Sequence, residues 1–181
     1  MRKLIPFIFI CFICLISSCR NDEKEALNSY IRERIGKLVV FPDSLEYRSL
    51  YDSLPPLPTK KIKIITFING ECYACLNQFI DWQEIGDTFI RDGNVDILFY
   101  IRSLDFYSIR QVLVDVDFRY PFYIDPHSDI LYLNSIPYDK KNLQTFLVDQ
   151  NNRIILIGSP VHNPKMMNLY KQEIRRLTRN N

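Results

Sequence analysis

Residues 61–75, K-I-K-I-I-T-F-I-N-G-E-C-Y-A-C, constrain this chain more than any other stretch. From Ile62 to Ile68 every residue except Lys63 is apolar or β-branched, and Asn69-Gly70 then punctuates the run. A short apolar run closed by a turn signal reads as a strand buried on both faces. Cys72 and Cys75 follow at once. Apolar residues then recur at helical spacing over Tyr73–Arg91: Leu76, Phe79/Ile80, Trp82, Ile85, Phe89 and Ile90. A strand that delivers two cysteines, three positions apart, to the first turn of a helix has a chemical meaning. Positions i and i+3 share a helix face, within disulfide reach. The unpaired N–H groups and positive dipole end of a helix start favour the thiolate, which is the nucleophilic form. A purely structural disulfide across so short a loop would stabilise little through the unfolded state.

Downstream, strand and helix signals alternate. Asp92-Gly93-Asn94 is a turn, and Val95–Ile101 a second buried strand. Asp105–Val116 is a helix with Ile109, Val112/Leu113 and Val116 on one face. Pro121–Ile124 is short and extended, and Ser128–Leu133 a short helix. Thr145–Asp149 and Arg153–Gly158 are strands joined by Gln150-Asn151-Asn152, a hairpin composition. Lys165–Thr178 is a closing helix with Pro164 suited to its first turn. Phe118, Tyr120, Phe122 and Tyr123, and the pair Phe106/Tyr107, read as core and strand packing. Upstream, Glu23–Lys37 has a narrow apolar stripe at helical spacing, and Leu38–Phe41 is extended and closed by Pro42. Ser44–Leu54 is ambiguous, and Leu54-Pro-Pro-Leu-Pro58 is a linker. This order predicts an α/β domain, a central mixed sheet flanked by helices.

Two landmarks, the strand–C72-Y-A-C75–helix unit and the later T145-F-L-V-D149…R153-I-I-L-I157 hairpin, make the segment 60–181 resemble the thioredoxin-like (TlpA/redoxin-type) proteins of bacterial envelopes. The resemblance implies a thioredoxin-like fold and thiol–disulfide oxidoreductase activity without a cofactor beyond the redox-active disulfide. Cys72 is then the nucleophile and Cys75 the buried resolving thiol. Several supporting groups differ from the family pattern. Glu71-Cys72-Tyr73-Ala74-Cys75 stands where Trp-Cys-Gly-Pro-Cys is common, and a carboxylate at Glu71 opposes thiolate formation if it approaches. Tyr73 either shapes partner docking or covers the helix end. Thr66 occupies the place of a buried acid that shuttles the resolving cysteine's proton. Leu143 stands where the family carries a cis-proline; Pro137 substitutes for it only if Tyr138–Asn142 loops out. Glu71, Tyr73, Leu143 and Gln144 are thus the substrate-docking candidates. The missing proline also leaves open a copper chaperone of the Sco-like kind, with Cys72, Cys75 and His162 (or His127) as ligands, although that family spaces its cysteines C-x-x-x-C. An exposed loop position is the plainer reading of either histidine. A non-catalytic interaction module on the same fold is a third possibility.

The N-terminus reads as processing rather than fold. Arg2 and Lys3 precede an apolar stretch, Leu4–Ile16, that is short for a membrane span and suits an export signal. Ile16-Ser17-Ser18-Cys19 resembles the lipobox of bacterial lipoproteins, which implies cleavage before an acylated Cys19. A plain signal peptide or a short uncleaved anchor is the alternative. The organisation expected is a signal peptide over 1–18, a tether and N-terminal extension over 19–59, and the domain over 60–181. Cys11 and Cys14 would leave with the signal, so Cys72 and Cys75 would be the free thiols. Of the 23 Lys and Arg, Arg2 and Lys3 would also leave, and the remaining 21 match the 21 Asp and Glu. No basic face points to nucleic acid. The expected location is the cell envelope, on a membrane-anchored lipoprotein facing the periplasm or the surface. Its expected partners are envelope protein thiols and disulfides, with the membrane held through the lipid.

Overall fold

The computed structural model describes residues 24–51, 55–91 and 95–179. The signal segment, Cys19 and the Asp92-Gly93-Asn94 turn lie outside them. Two compact units divide between Ile35 and Gly36. In the first, residues 24–34 form helix α1, shorter than the Glu23–Lys37 pattern, with Ser29 Oγ donating to Glu33 Oε1 at 3.4 Å.

The second unit carries a six-stranded sheet in the order β1-β4-β3-β2-β5-β6. Its centre is β2 (Ile62–Asn69) and β3 (Val95–Arg102), parallel and in register along their whole length from Ile62↔Val95 to Asn69↔Arg102. Both strands are buried on both faces, as their near-continuous apolar sequences require. Helix α2 (Asn77–Ile90) crosses between them, and α3 (Phe106–Asp115) leads on to β4 (Phe122–Ile124), which is parallel to β3. Asp105 caps α3 by accepting from the Ser108 N–H at 2.9 Å.

The ambiguous Ser44–Leu54 stretch contains β1 (Glu46–Arg48), antiparallel to β4, so the sheet takes in residues upstream of Lys60. The hairpin β5 (Thr145–Val148) and β6 (Ile154–Ile157) pairs antiparallel to the other side of β2. Its turn uses Asn152 at φ 57°, a left-handed conformation that Asn tolerates, and Asp149 accepts from the N–H groups of Asn151 and Arg153, each at 2.9 Å. Residues 36–39 lie against the turn into β6 and its first residue. The Gly36 N–H donates to Ile154 O (2.8 Å), the Ile154 N–H to Lys37 O (2.9 Å) and the Val39 N–H to Asn152 O (2.8 Å).

The core is aromatic. Phe99 of β3 meets the single Trp82 edge-on at 5.6 Å, Phe118 at 5.0 Å and Tyr120 at 5.3 Å between ring centroids. Phe118, Tyr120 and Phe122 are therefore core residues, as their sequence context suggests. Tyr107 is different: it is 85% exposed, while its neighbour Phe106 packs on Phe122. The closing helix α5 (Pro164–Arg179) is anchored by Tyr170, fully buried, whose hydroxyl donates to Gly158 O at 2.9 Å.

Helix α4 (Asp129–Leu133) is short and begins on a buried acid. Asp125 has no exposed surface and accepts from the N–H groups of Asp129 (2.7 Å) and Ile130 (3.1 Å). Burial pushes its carboxyl above the ordinary value, and those two hydrogen bonds oppose the shift. The folded protein therefore holds this proton more tightly than the unfolded chain does. The contribution of Asp125 to stability is full at low pH and falls as pH rises past 3.8 toward the raised value. Denaturant unfolding across a pH series should show the wild type losing stability relative to Asp125→Asn over that rise; parallel pH profiles would contradict it.

Candidate active site

The parallel strands β2 and β3 end side by side at Asn69 and Arg102, and the cysteines follow directly. Gly70 is required at the turn. Its N–H donates to Arg102 O at 2.9 Å, and a Cβ there would stand 2.8 Å from that oxygen and 2.7 Å from Ile109 Cδ1. The Asn69 side chain accepts from the Glu71 N–H at 3.1 Å, and Asn69 O accepts from the Cys72 N–H at 3.3 Å. The helix does not begin as an α-helix at Tyr73, as the periodicity suggests. Cys72 leads into a single 3₁₀ turn, Tyr73–Cys75, closed by the Cys75 N–H on Cys72 O at 2.7 Å, and α2 starts at Asn77.

Cys72 and Cys75 are joined as a disulfide, with their Cα atoms 5.2 Å apart. The two sulfurs are unequal. Cys72 is partly exposed, whereas Cys75 is 1% exposed. This is the asymmetry expected of an attacking and a resolving thiol.

The substrate-docking candidates separate into two kinds. Tyr73 is 91% exposed, so it does not cover the helix end. Glu71 Oε2 lies 3.3 Å from the Arg102 guanidinium, which offsets the carboxylate beside Cys72. Leu143 is buried. Gln144 is buried too, its Nε2 donating to Tyr138 O (2.7 Å) and Pro137 O (3.3 Å). Its side chain holds the 137–144 loop in place rather than facing solvent. Tyr138 joins that loop to the strand ends, since its hydroxyl accepts from Asn69 Nδ2 and from the Arg102 guanidinium, each at 2.6 Å. Every peptide bond among the described residues is trans, including those at Pro137 and Leu143.

Thr66 lies at the β2–β5 pairing opposite Thr145, both buried, with their hydroxyls 2.9 Å apart. A hydroxyl pair therefore fills the place of the shuttling acid. One residue escaped the sequence reading. Lys141, which opens the 3₁₀ turn Lys141–Leu143, brings its Nζ to 3.2 Å from Cys75 Sγ. The signal lay in the Lys140-Lys141 pair shortly before β5. It becomes legible only once that loop is known to face the thiols.

The alternative metal set of Cys72, Cys75 and His162 is not gathered. His162 Nε2 lies 3.0 Å from Asp81 Oδ1, His127 is exposed on the β4–α4 loop, and among the described residues no three His, Cys, Asp or Glu side chains are placed to hold a metal ion. His127 instead lines a shallow groove of about 490 Å³ with Arg102, Leu131, Tyr132, Ile136 and Tyr138.

No protein-family profile and no curated protein sequence matches the chain. Solved structures do. A protein of Bacteroides thetaiotaomicron, described provisionally as a protein disulfide isomerase, is 16% identical over 65% of this chain and 74% of its own, with a TM-score of 0.51. A Chlorobium tepidum protein, described provisionally as the thiol:disulfide interchange protein DsbE, is 15% identical over 66% and 82%, also at 0.51. A thioredoxin-like protein solved in its oxidised form is 12% identical over 80% and 95%, again at 0.51. At these identities the likeness is one of fold: the chain has a thioredoxin-like fold, with its cysteine pair where β2 hands over to α2.

The threonine pair can be checked directly. Thr145→Val leaves the Thr66 hydroxyl buried without its partner and should cost about 1–3 kcal/mol of unfolding free energy. The Thr66→Val/Thr145→Val double variant should recover most of that loss. Additive losses in the double-mutant cycle would show the two hydroxyls to be uncoupled.

Proposed function

We propose that this chain is a thiol–disulfide oxidoreductase that exchanges disulfides with other proteins through Cys72 and Cys75, with no further cofactor. The observation that carries the reading is the unequal exposure of the bonded pair, Cys72 reachable and Cys75 1% exposed. The structural neighbours described as a disulfide isomerase and an interchange protein support it. In the reductive direction, the Cys72 thiolate attacks one sulfur of a partner disulfide and releases the other as a thiolate. The mixed disulfide then breaks when Cys75 attacks Cys72, so the partner leaves as a dithiol and the chain as a disulfide. The exposed Tyr73 beside Cys72 is a contact for the partner chain, and the groove at Tyr138 offers apolar surface close to the same strand ends.

The reading extends to location. The Arg2/Lys3 start, the Leu4–Ile16 apolar stretch and Ile16-Ser17-Ser18-Cys19 support export and lipid attachment at Cys19, which would hold the domain at an envelope membrane by a polar tether.

Two experiments test these readings separately. Wild-type protein should reduce insulin disulfides with a dithiol donor, Cys72→Ser should fall to the uncatalysed rate, and Cys75→Ser should accumulate mixed disulfides that identify partners in cells. A wild-type rate no faster than donor alone, with no trapped species, would leave a non-catalytic interaction module as the reading. Metabolic labelling with an alkyne fatty acid should mark the wild-type chain and not Cys19→Ser; equal labelling of both would remove the lipid anchor.

A further inference from the structure

Reduction of the Cys72–Cys75 bond would leave Cys75 as a thiol with almost no access to water, 1% exposed. Burial among apolar groups raises a thiol's pKa and makes it a poor nucleophile, so a buried resolving cysteine needs help to lose its proton. The neighbouring hydroxyls cannot supply it: Thr66 and Thr145 do not ionise near neutral pH, and they are bonded to each other at 2.9 Å. What does reach the sulfur is a cation. Lys141 Nζ stands 3.2 Å from Cys75 Sγ.

That contact has little to do in the oxidised protein, because a disulfide sulfur carries no charge and accepts weakly. It becomes an ion pair only when Cys75 is a thiolate. Lys141 is also held in position. It opens a 3₁₀ turn whose Gln144 N–H donates to Lys141 O at 3.1 Å, and the next elements, Leu143 and Gln144, are buried anchors. The other titratable groups of the neighbourhood are Asp139 and Lys140 on the same loop, Tyr138, and Tyr73 and Glu71 beside Cys72. Glu71 is matched by Arg102 at 3.3 Å, and Asp81, further along α2, by His162 at 3.0 Å.

We infer that Lys141 holds Cys75 as a thiolate in the reduced protein and so speeds the resolving step, a role that rests on the thiol–disulfide reading above. Cys75 departs as a thiolate when its bond to Cys72 is reduced, and Lys141, an ammonium throughout, keeps it in that form. The Cys75 thiolate then attacks Cys72 Sγ. The Cys75–Cys72 bond forms, the bond from Cys72 to the partner sulfur breaks, and its electron pair leaves on the partner sulfur, which takes a proton from water. The chain is oxidised to its disulfide and the partner is reduced. Because Lys141 stabilises only the reduced form, it also makes the Cys72–Cys75 bond easier to reduce.

The test uses the full chain carrying carbon-13-labelled cysteine and lysine, with the Cys75 signal assigned by its loss in Cys75→Ser. In Lys141→Met the Cys75 thiolate fraction at neutral pH should drop by about tenfold or more, and Lys141→Arg should restore it. The exchange equilibrium with glutathione should move toward the chain's disulfide form in Lys141→Met, by up to the fold-change in the Cys75 acid constant. An unchanged Cys75 titration in a folded Lys141→Met protein overturns the inference. Should that variant not fold, the wild type alone decides by reciprocity: Lys141 must titrate at higher pH in the reduced than in the oxidised chain, and equal midpoints overturn the inference. A shifted Cys75 together with no insulin reduction by the wild type would sink the oxidoreductase reading while the Lys141–Cys75 coupling stands.

Discussion

The parallel, in-register pairing of β2 with β3 is the constraint on which the rest depends. Both strands are covered on each face, so neither can slip by a residue without exchanging the side chains fitted to one layer of the core for those fitted to the other. Because they end together at Asn69↔Arg102, the turn that leaves β2 is pressed against the last carbonyl of β3. Only glycine fits there. The position of Cys72, two residues on, is thus inherited from the interior of the sheet rather than set by a loop, and the aromatic cluster around Phe99 keeps that interior from yielding.

The second half of the site comes from the other flank of β2, and hydrogen bonds join the two together with the packing of the Tyr138 ring on Phe67. Tyr138 sits at the junction, its hydroxyl between Asn69 and Arg102 and its carbonyl held by Gln144. The loop so fixed carries Lys141 to the buried sulfur, and the guanidinium of Arg102 lies against Glu71 on the exposed side of the pair. Cys72 therefore has beside it a group from the end of β3, and Cys75 one from the loop that precedes β5. The two cations at the site, Arg102 and Lys141, are placed there by the fold and not by proximity to the cysteines in the chain.

The fold was legible because its signals are local. Two apolar runs, helical stripes at Phe79/Trp82 and Ile109/Leu113, and a hairpin turn with Asn151-Asn152 each imply an element without reference to the others. Strand β1 was not, since three residues with one apolar face make no pattern until β4 stands beside them. The cysteine pair was legible for the same reason as the strands. Its supporting groups were not. The docking candidates, two beside Cys72 and two at the family's cis-proline position, differ in place, with Tyr73 exposed but Gln144 committed to the loop's own carbonyls. Lys141 went unread because 66 residues separate it from Cys75, and only the β2–β5 pairing brings them together. Likewise Thr66 reads in sequence as a missing acid, while its partner Thr145 emerges from register alone.

The strip of backbone along β6 carries one more implication. A sheet ordinarily offers unpaired donors and acceptors at its two borders, and proteins crowded side by side on a surface are exposed to association through them. Here residues 36–39 cover the start of the β6 border, at Asn152–Ile154, and the opposite border is the three-residue β1, which carries Glu46 and Arg48. Neither border therefore offers a long, bare row of donors and acceptors. A domain built this way keeps Cys72 reachable while leaving little backbone open to another copy's strand.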